Sequence, residues 1–531
     1  MLANGPYYIL LHATDTTNKT MDSGMGIIVA GDYKPGRVTT TVTDLVVPAP
    51  GLPIQLQRTY DSLVRGTSSD FGNGWTLGVN VQLSVSSTYD VTLTINNQQR
   101  TFYFTPYQPG FQIPGIGFAP NLLGVYFPAY TGEPGMYGTL TIGTSGSNLI
   151  GSNTGCLFDW LVEGSNSNVP FCYNNVGTYS PGSYVYTDPY GRVYTISATG
   201  GLQSIKDLGG NTITVTPTGI SSSNGLNVPF VRDAQGRITQ ITDTLGNVFK
   251  YGYDANGNLS SITYPGVSTS TQYTYDLTHL YTGGTDSRNN PLPSTTYDTS
   301  GRLQSVTDAA LQTTSYAYDL TNRITTVTYP DTGKATLTYD AYGKLVSSTD
   351  PLNHTTSNVY DANHNLTSVT DPLGHTTSYT YDINGNRTSV TNPLSKSTTT
   401  AYNQASEPAQ TTDELGNVRT FTYDTNFWPK LANDSIGPVV SFTFNANGTM
   451  QSKAVGYDLT TTSGKATAYT YDTYGNLTGQ TDALGRQTTY TYDTLGRKTS
   501  MTTPAGGTTN YTYDALGRLK TAAEPLGRTT T

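Results

Sequence analysis

Residues Tyr471–Asp493 read Y-D-T-Y-G-N-L-T-G-Q-T-D-A-L-G-R-Q-T-T-Y-T-Y-D. The stretch holds two Asp-x-x-Gly patterns, Asp472–Gly475 and Asp482–Gly485, and a third opens at Asp493–Gly496. Asp at the first position of a type I turn accepts from nearby backbone N–H groups, and Gly at the fourth takes the positive φ that follows. The turns start 10 and 11 residues apart, which leaves six or seven residues between them, rich in Thr, Tyr, Val and Leu. That is the length and composition of a strand and too short for a helix. The unit therefore predicts one β-hairpin, and successive units predict a meander.

The unit recurs. Tyr297, Tyr318, Tyr339, Tyr360, Tyr381, Tyr402 and Tyr423 are spaced 21 apart, Phe444 continues the series, and Tyr471, Tyr492 and Tyr513 resume it after a six-residue slip. Asp follows most of them, at Asp340, Asp361, Asp382, Asp424, Asp472, Asp493 and Asp514, and Gly343, Gly385, Gly475, Gly496 and Gly517 close the turns. A fixed period of this size means a repeat architecture, in which each unit stabilises its neighbour. In the second strand Thr488, Tyr490 and Tyr492 share a face, so adjacent repeats should stack a tyrosine ladder beside Leu345, Leu366 or Leu477. The fold class is all-β: a long antiparallel sheet, which must curl beyond about ten strands and, because twist has one hand, spirals.

Charged residues make up 12 % of the 531-residue chain, against about 25 % in ordinary domains. The net charge of −9 and the lack of a basic patch argue against a nucleic-acid partner. No apolar run reaches membrane-spanning length. Residues 1–13 do not read as a signal peptide, and both ends read as cut from a longer chain. Abundant Tyr and Thr suit an extracellular β-protein. Cys156 and Cys172 can pair in an oxidising compartment, and two free thiols fit the sequence equally well.

Along the chain, residues 1–32 read as the last strands of a small β-module. Residues 33–105 form a segment of alternating strands, and 106–185 a loop-rich insertion carrying both cysteines. Residues 186–531 are the hairpin repeats, with an imperfect one at 276–296 that contains Gly283-Gly284 and Pro291.

The repeated Tyr-Asp-x-x-Gly with Thr-Asp-x-x-Gly-Arg is similar to the YD repeats of Rhs proteins, whose relatives include the teneurins and the toxin-complex C components. Thr43-Asp44-Leu45, Arg58-Thr59-Tyr60-Asp61-Ser62 and Phe71-Gly72-Asn73-Gly74-Trp75 resemble the segment preceding those repeats in bacterial members. Residues 1–32 resemble an immunoglobulin-like module found ahead of it. The resemblance implies an incomplete β-shell, secreted or displayed at a bacterial surface, that in complete members encloses or presents a C-terminal effector or toxin. The family's self-cleavage segment and toxin domain are not among these residues. A surface adhesion or carbohydrate-binding protein is the alternative, with cell-surface glycans as partners.

No catalytic constellation stands out: there is no G-x-S-x-G, H-E-x-x-H or P-loop. His354, His364 and His375 lack carboxylate or Cys partners at ligand spacing, so a zinc site is not expected. The D-x-N-G turns at Asp254 and Asp382 lack the distal Glu of a calcium loop. The expectation is a structural protein with no catalytic residue, cofactor or metal.

Overall fold

The computed structural model describes residues 201–514 without a break, then 519–525 and 527–530. Before them it describes 5–14, 20–29, 34–49, 51–78, 81–86, 89–95, 98–105, 111–113, 117–119, 128–134, 136–143, 146–147, 150–151, 157–158 and 180–199. Cys156, Cys172 and Gly517 lie outside the described residues. Among the described residues the only helical element is a 3-10 turn, Ser62–Val64.

Contacts divide the chain into two compact units that do not follow chain order. Gly31–Val79 joins Lys206–Thr531, while Asn4–Ala30 joins Asn80–Ile205. The second of these contains a long hairpin, Gly5–Thr14 against Thr20–Val29. It also has a four-stranded sheet built from Gln82–Val85, Val91–Ile95, Gln98–Phe104 and Tyr130–Gly132. Val91, Leu93, Phe102, Tyr184, Tyr186 and Ile196 are buried in it.

The first unit carries the repeats. Consecutive strands from Thr212–Thr216 to Pro291–Leu292 pair in chain order, each antiparallel to the last. A second sheet of 23 strands runs in the same way from Ser294–Tyr297 to Thr529–Thr530. The division falls at Pro293, which has no N–H to give a ladder. Just before it, Gly284 lets two strands close in: a Cβ there would sit 2.0 Å from the carbonyl oxygen of Gln272.

Each turn is built alike. In Asp472–Asn476 the Gly475 N–H donates to the Asp472 carbonyl at 3.1 Å, and the Asp472 N–H donates to the Asn476 carbonyl at 3.0 Å. The Asp472 carboxylate accepts from the N–H groups of Tyr474 and Asn476, both at 2.9 Å. The same pattern recurs at Asp340, Asp361, Asp382 and Asp493. Gly343, Gly385, Gly475 and Gly496 have φ of 86°, 76°, 82° and 70°. A register shift between Thr470 and Tyr471, repeated at the equivalent tyrosines, sets each Tyr at the end of its strand.

Turns alternate between two rims of the meander. Rim one holds the turns beginning at Asp207, Asp243, Asp350 and Asp482; rim two those at Asp254, Asp361, Asp424 and Asp493. The meander returns beside itself, rim one against rim two. The Thr244 hydroxyl donates to the Thr494 carbonyl at 2.7 Å, 250 residues away. The Asn211 amide donates to the Asn447 carbonyl at 3.2 Å.

Candidate functional site: the sealed part of the repeat sheet

Three strands of the N-terminal segment, Thr39–Val47, Ile54–Asp61 and Trp75–Leu77, form a small antiparallel sheet. Its apolar face, Leu45, Val47, Ile54, Leu56, Tyr60, Phe71, Trp75 and Leu77, makes one core with the repeat strands. From those strands come Ile213, Ile220, Val228, Ile238, Ile241, Leu259 and Ile262. Apolar area removed from water stabilises at roughly 25 cal/mol per Å², so this seam is the main source of stability in the unit.

An ion pair lies inside the seam. Arg58 Nε donates to Asp44 Oδ2 at 2.7 Å, and both side chains are at most 2 % exposed. Tyr251 and Tyr264 donate their hydroxyls to the two Asp44 oxygens at 2.9 and 3.0 Å. Arg58 Nη2 donates to the hydroxyls of Tyr264 and Tyr273 at 3.2 and 3.1 Å. The guanidinium lies 5.1 Å from the Trp75 ring and 5.4 Å from the Tyr273 ring. Burial works against the Arg58 charge, but Asp44 and the tyrosines outweigh it and its pKa stands above the ordinary value. Burial, with Asp44 beside them, pushes the Tyr251 and Tyr264 hydroxyls well above theirs. The cluster is closed, and of the Arg58 nitrogens Nη1 alone is buried without a hydrogen-bond partner; the bonds it does make tie the N-terminal segment to the repeat strands as a clamp.

Further bonds fasten the segment to the second rim. The Trp75 indole N–H donates to the Tyr275 hydroxyl at 2.6 Å. Tyr60 donates to the His279 carbonyl at 2.9 Å and accepts from the Tyr281 N–H at 3.0 Å. The Asn73 amide donates to the Asn256 carbonyl at 2.8 Å. Arg232 pairs with Asp70 at 2.8 Å, and the Leu303 N–H donates to the Gly36 carbonyl at 2.9 Å. His279 thereby joins Asn73 and Asn258 inside the seam.

Beyond the seam the tyrosine ladder is neither buried nor presented. Tyr379, Tyr381, Tyr490, Tyr492, Tyr511 and Tyr513 are all half-buried, alternating with exposed residues. A bond not visible in the spacing fixes them. The hydroxyls of Tyr360, Tyr381 and Tyr513 donate to the backbone carbonyl fifteen residues earlier, at Leu345, Leu366 and Lys498, at 3.1, 2.8 and 2.8 Å. Tyr318, Tyr402 and Tyr423 do the same. Each such carbonyl opens the strand immediately before the tyrosine's own, so the tyrosine staples neighbouring strands of the sheet. Tyr339, Tyr471 and Tyr492 stand at the equivalent strand ends. The Asp514 carbonyl accepts weakly from Arg497 at 3.5 Å.

His354 and His375 each face the Asp four residues earlier at 3.0 Å on the exposed rim, and His364 lies against the Tyr342 ring. Among the described residues no group of three or more His, Cys, Asp or Glu is placed to hold a metal. The recess beside Arg65, Asp276, Tyr297 and Asp298, of about 390 Å³, is half-open to solvent.

Five stretches match the family model described as RHS Repeat: residues 232–266, 297–334, 360–397, 471–508 and 499–529. The chain is an RHS-repeat protein. A second model, a domain of unknown function (DUF6531), matches residues 32–104 of this RHS-repeat protein, which include the clamp segment. No curated protein matches. Among solved structures, the crystal structure of TcdB2-TccC3-TEV is similar at 14 % identity with a TM-score of 0.45, over 92 % of this chain and 26 % of that one. TcdB2-TccC3 without its hypervariable C-terminal region is similar at 13 % identity and a TM-score of 0.44, over 89 % and 28 %. The Photorhabdus luminescens Tc holotoxin pore gives 12 % identity and a TM-score of 0.34, over 92 % and 31 %. The RHS-repeat chain thus spans about a quarter to a third of the length of those chains.

Proposed function

We propose that this chain is the N-terminal part of the wall of an RHS-type shell, structural and not enzymatic, from a secreted or surface-displayed protein. In the full-length polypeptide that wall encloses or presents a C-terminal effector. The observation that carries this reading is the seam: a sheet that returns beside itself has part of one rim sealed by the segment that precedes the repeats. A wall with a sealed end suits containment. The buried Arg58–Asp44 cluster supports this reading as a hold on the seal. No helix among the described residues is long and apolar enough to cross a membrane.

The test is protease protection of the polypeptide downstream of Thr531 in the complete protein. It should resist digestion until the seam is opened by Arg58→Ala, and become cleavable then. Digestion at equal rates in both proteins would contradict containment. Mass measurement after long incubation of the 531-residue chain should show no self-cleavage.

A second reading, glycan binding, draws on the half-open tyrosine face, where Arg387 lies 5.6 Å from the Tyr379 ring and Lys498 4.9 Å from the Tyr490 ring. Glycan-array binding lost in a folded Tyr490→Ala, Tyr511→Ala variant would favour it over the shell.

A further inference from the structure

Six Asn-Gly pairs occur in the chain, beginning at Asn4, Asn73, Asn224, Asn256, Asn384 and Asn447. Asn4 lies outside the described residues. In such a pair the glycine nitrogen can attack the asparagine side-chain amide, because glycine has no Cβ in the way and its backbone turns freely. The reaction needs no catalyst and consumes only water. In a folded chain its rate depends on how easily the backbone around the pair opens.

Two of the pairs sit in the same turn. Asp254-Ala255-Asn256-Gly257-Asn258 and Asp382-Ile383-Asn384-Gly385-Asn386 differ in one residue. In each, the Gly N–H donates to the first Asp carbonyl at 3.1 Å. In each, the Asp carboxylate accepts from the N–H groups of both asparagines at 2.9 Å. The last side-chain amide closes on the same carboxylate at 2.8 Å from Asn258 and 2.9 Å from Asn386. Asn256 and Asn384 are both exposed. The local chemistry is matched and the surroundings are not. Asn73 of the N-terminal segment holds the first turn twice: its amide donates to the Asn256 carbonyl at 2.8 Å, and its N–H to the Gly257 carbonyl at 3.1 Å. Among the described residues Asn384 and Gly385 hydrogen-bond only within their own turn. That turn reaches outward through Asn386, whose amide donates to the Ser406 hydroxyl at 3.0 Å.

The other pairs are held as well. Asn73 is buried. The Asn224 amide nitrogen is buried, and its side-chain oxygen accepts from the Leu226 N–H at 3.4 Å. The Asn447 carbonyl accepts from Asn211 at 3.2 Å, and its side-chain oxygen from the Thr449 hydroxyl at 2.8 Å. Local opening ranges from almost no cost up to that of global unfolding, and a turn without tertiary bonds at its centre lies at the low end.

We propose that Asn384 is a site of spontaneous deamidation. Once the Gly385 N–H leaves the Asp382 carbonyl, the Gly385 nitrogen attacks Asn384 Cγ. A C–N bond forms, the bond from Cγ to the amide nitrogen breaks, and ammonia departs with the glycine proton. A five-membered imide remains. Water opens it at either carbonyl, leaving aspartate or isoaspartate at position 384. Either product sets a second carboxylate beside Asp382 on rim two. Isoaspartate also adds a carbon to the backbone, so the Gly385 N–H no longer meets the Asp382 carbonyl and the turn opens.

The test is peptide mapping by mass spectrometry of the full chain held in mildly alkaline buffer, with isoaspartate read by enzymatic methylation. Asn384 should convert at least about tenfold faster than Asn256 or Asn447. In urea, where only local sequence acts, Asn256 and Asn384 should convert at equal rates. Asn73→Ala, shown by its thermal midpoint to be folded, should raise the Asn256 rate toward that of Asn384. Equal rates at Asn256 and Asn384 in the folded chain would overturn the proposal. So would an Asn384 amide that persists while the urea sample converts. A difference that survives in urea would belong to Ile383 against Ala255 and would overturn it too, as would an Asn256 rate unmoved by Asn73→Ala.

Discussion

The strands from 238 to 263 and those from 387 to 502 are the same repeat in two environments. In Ile238–Thr242 and Leu259–Thr263 the first and fourth residues are buried: Ile238, Ile241, Leu259 and Ile262. In Arg387–Thr391, Leu477–Thr481 and Lys498–Thr502 the same positions hold Arg387, Val390, Leu477, Gln480, Lys498 and Met501, all half-buried or exposed. The turns and the tyrosine at the strand end are unchanged. What differs is the N-terminal segment lying on the first set. The hairpin pattern therefore specifies the sheet, and the identity of two side chains per strand records whether that sheet is covered.

The largest expected contrast is electrostatic. Arg58→Ala leaves Asp44 buried without its partner and should cost about 3–5 kcal/mol in urea unfolding. Arg486→Ala breaks the exposed pair with Asp482 and should cost at most about 1 kcal/mol. Equal costs would break the comparison. Next comes the inward position: Ile262→Ala should cost about 2–5 kcal/mol, and Val390→Ala, in the same register but half-exposed, about 1 kcal/mol.

The two regions should also fail at opposite ends of the pH scale. Backbone N–H groups and the side chain four residues on hold the Asp350, Asp371 and Asp482 carboxyls below their ordinary range. A depressed carboxyl stabilises the fold above the unfolded pKa, near 4, and that support is lost as pH falls through the folded value. The open rims should loosen in acid. Burial raises Tyr251, Tyr264 and Tyr275 well above the ordinary tyrosine value, and Tyr281 to about 12. A raised tyrosine supports the fold fully below pH about 10 and stops doing so as pH rises toward the folded value. An ultraviolet titration should show these hydroxyls ionising only as the seam opens. Early ionisation would mean that the seam is wet.

Much of this was legible in the sequence. Asp-x-x-Gly fixes turns through local hydrogen bonds, and strand length follows from turn spacing, so sheet and rims could be read from short-range pattern. The clamp could not, because Arg58 and Tyr273 are 215 residues apart and nothing in their spacing links them. A signal was present all the same: Ile238, Ile241 and Leu259 where later repeats carry Arg387, Gln480 and Lys498. The tyrosine staple was equally hidden, since the partner is a backbone carbonyl. Some turns also lack the expected glycine, and Leu311 and Phe427 take positive φ of 61° and 61° there.

Two smaller effects follow. Tyr381→Phe removes the bond to the Leu366 carbonyl and should cost about 1 kcal/mol. Leu311→Gly relieves a left-handed backbone at an exposed turn and should stabilise by about 1 kcal/mol, read as a higher thermal midpoint.

The central claim is that one N-terminal segment makes part of a uniform repeat sheet into a core. Hydrogen exchange followed by mass spectrometry measures this strand by strand. Amides in 238–262 should exchange only through global unfolding, those in 366–412 through local opening, and Arg58→Ala should bring the first set down to the second. Equal protection of both regions in the unaltered protein, or no change on Arg58→Ala, would contradict the account.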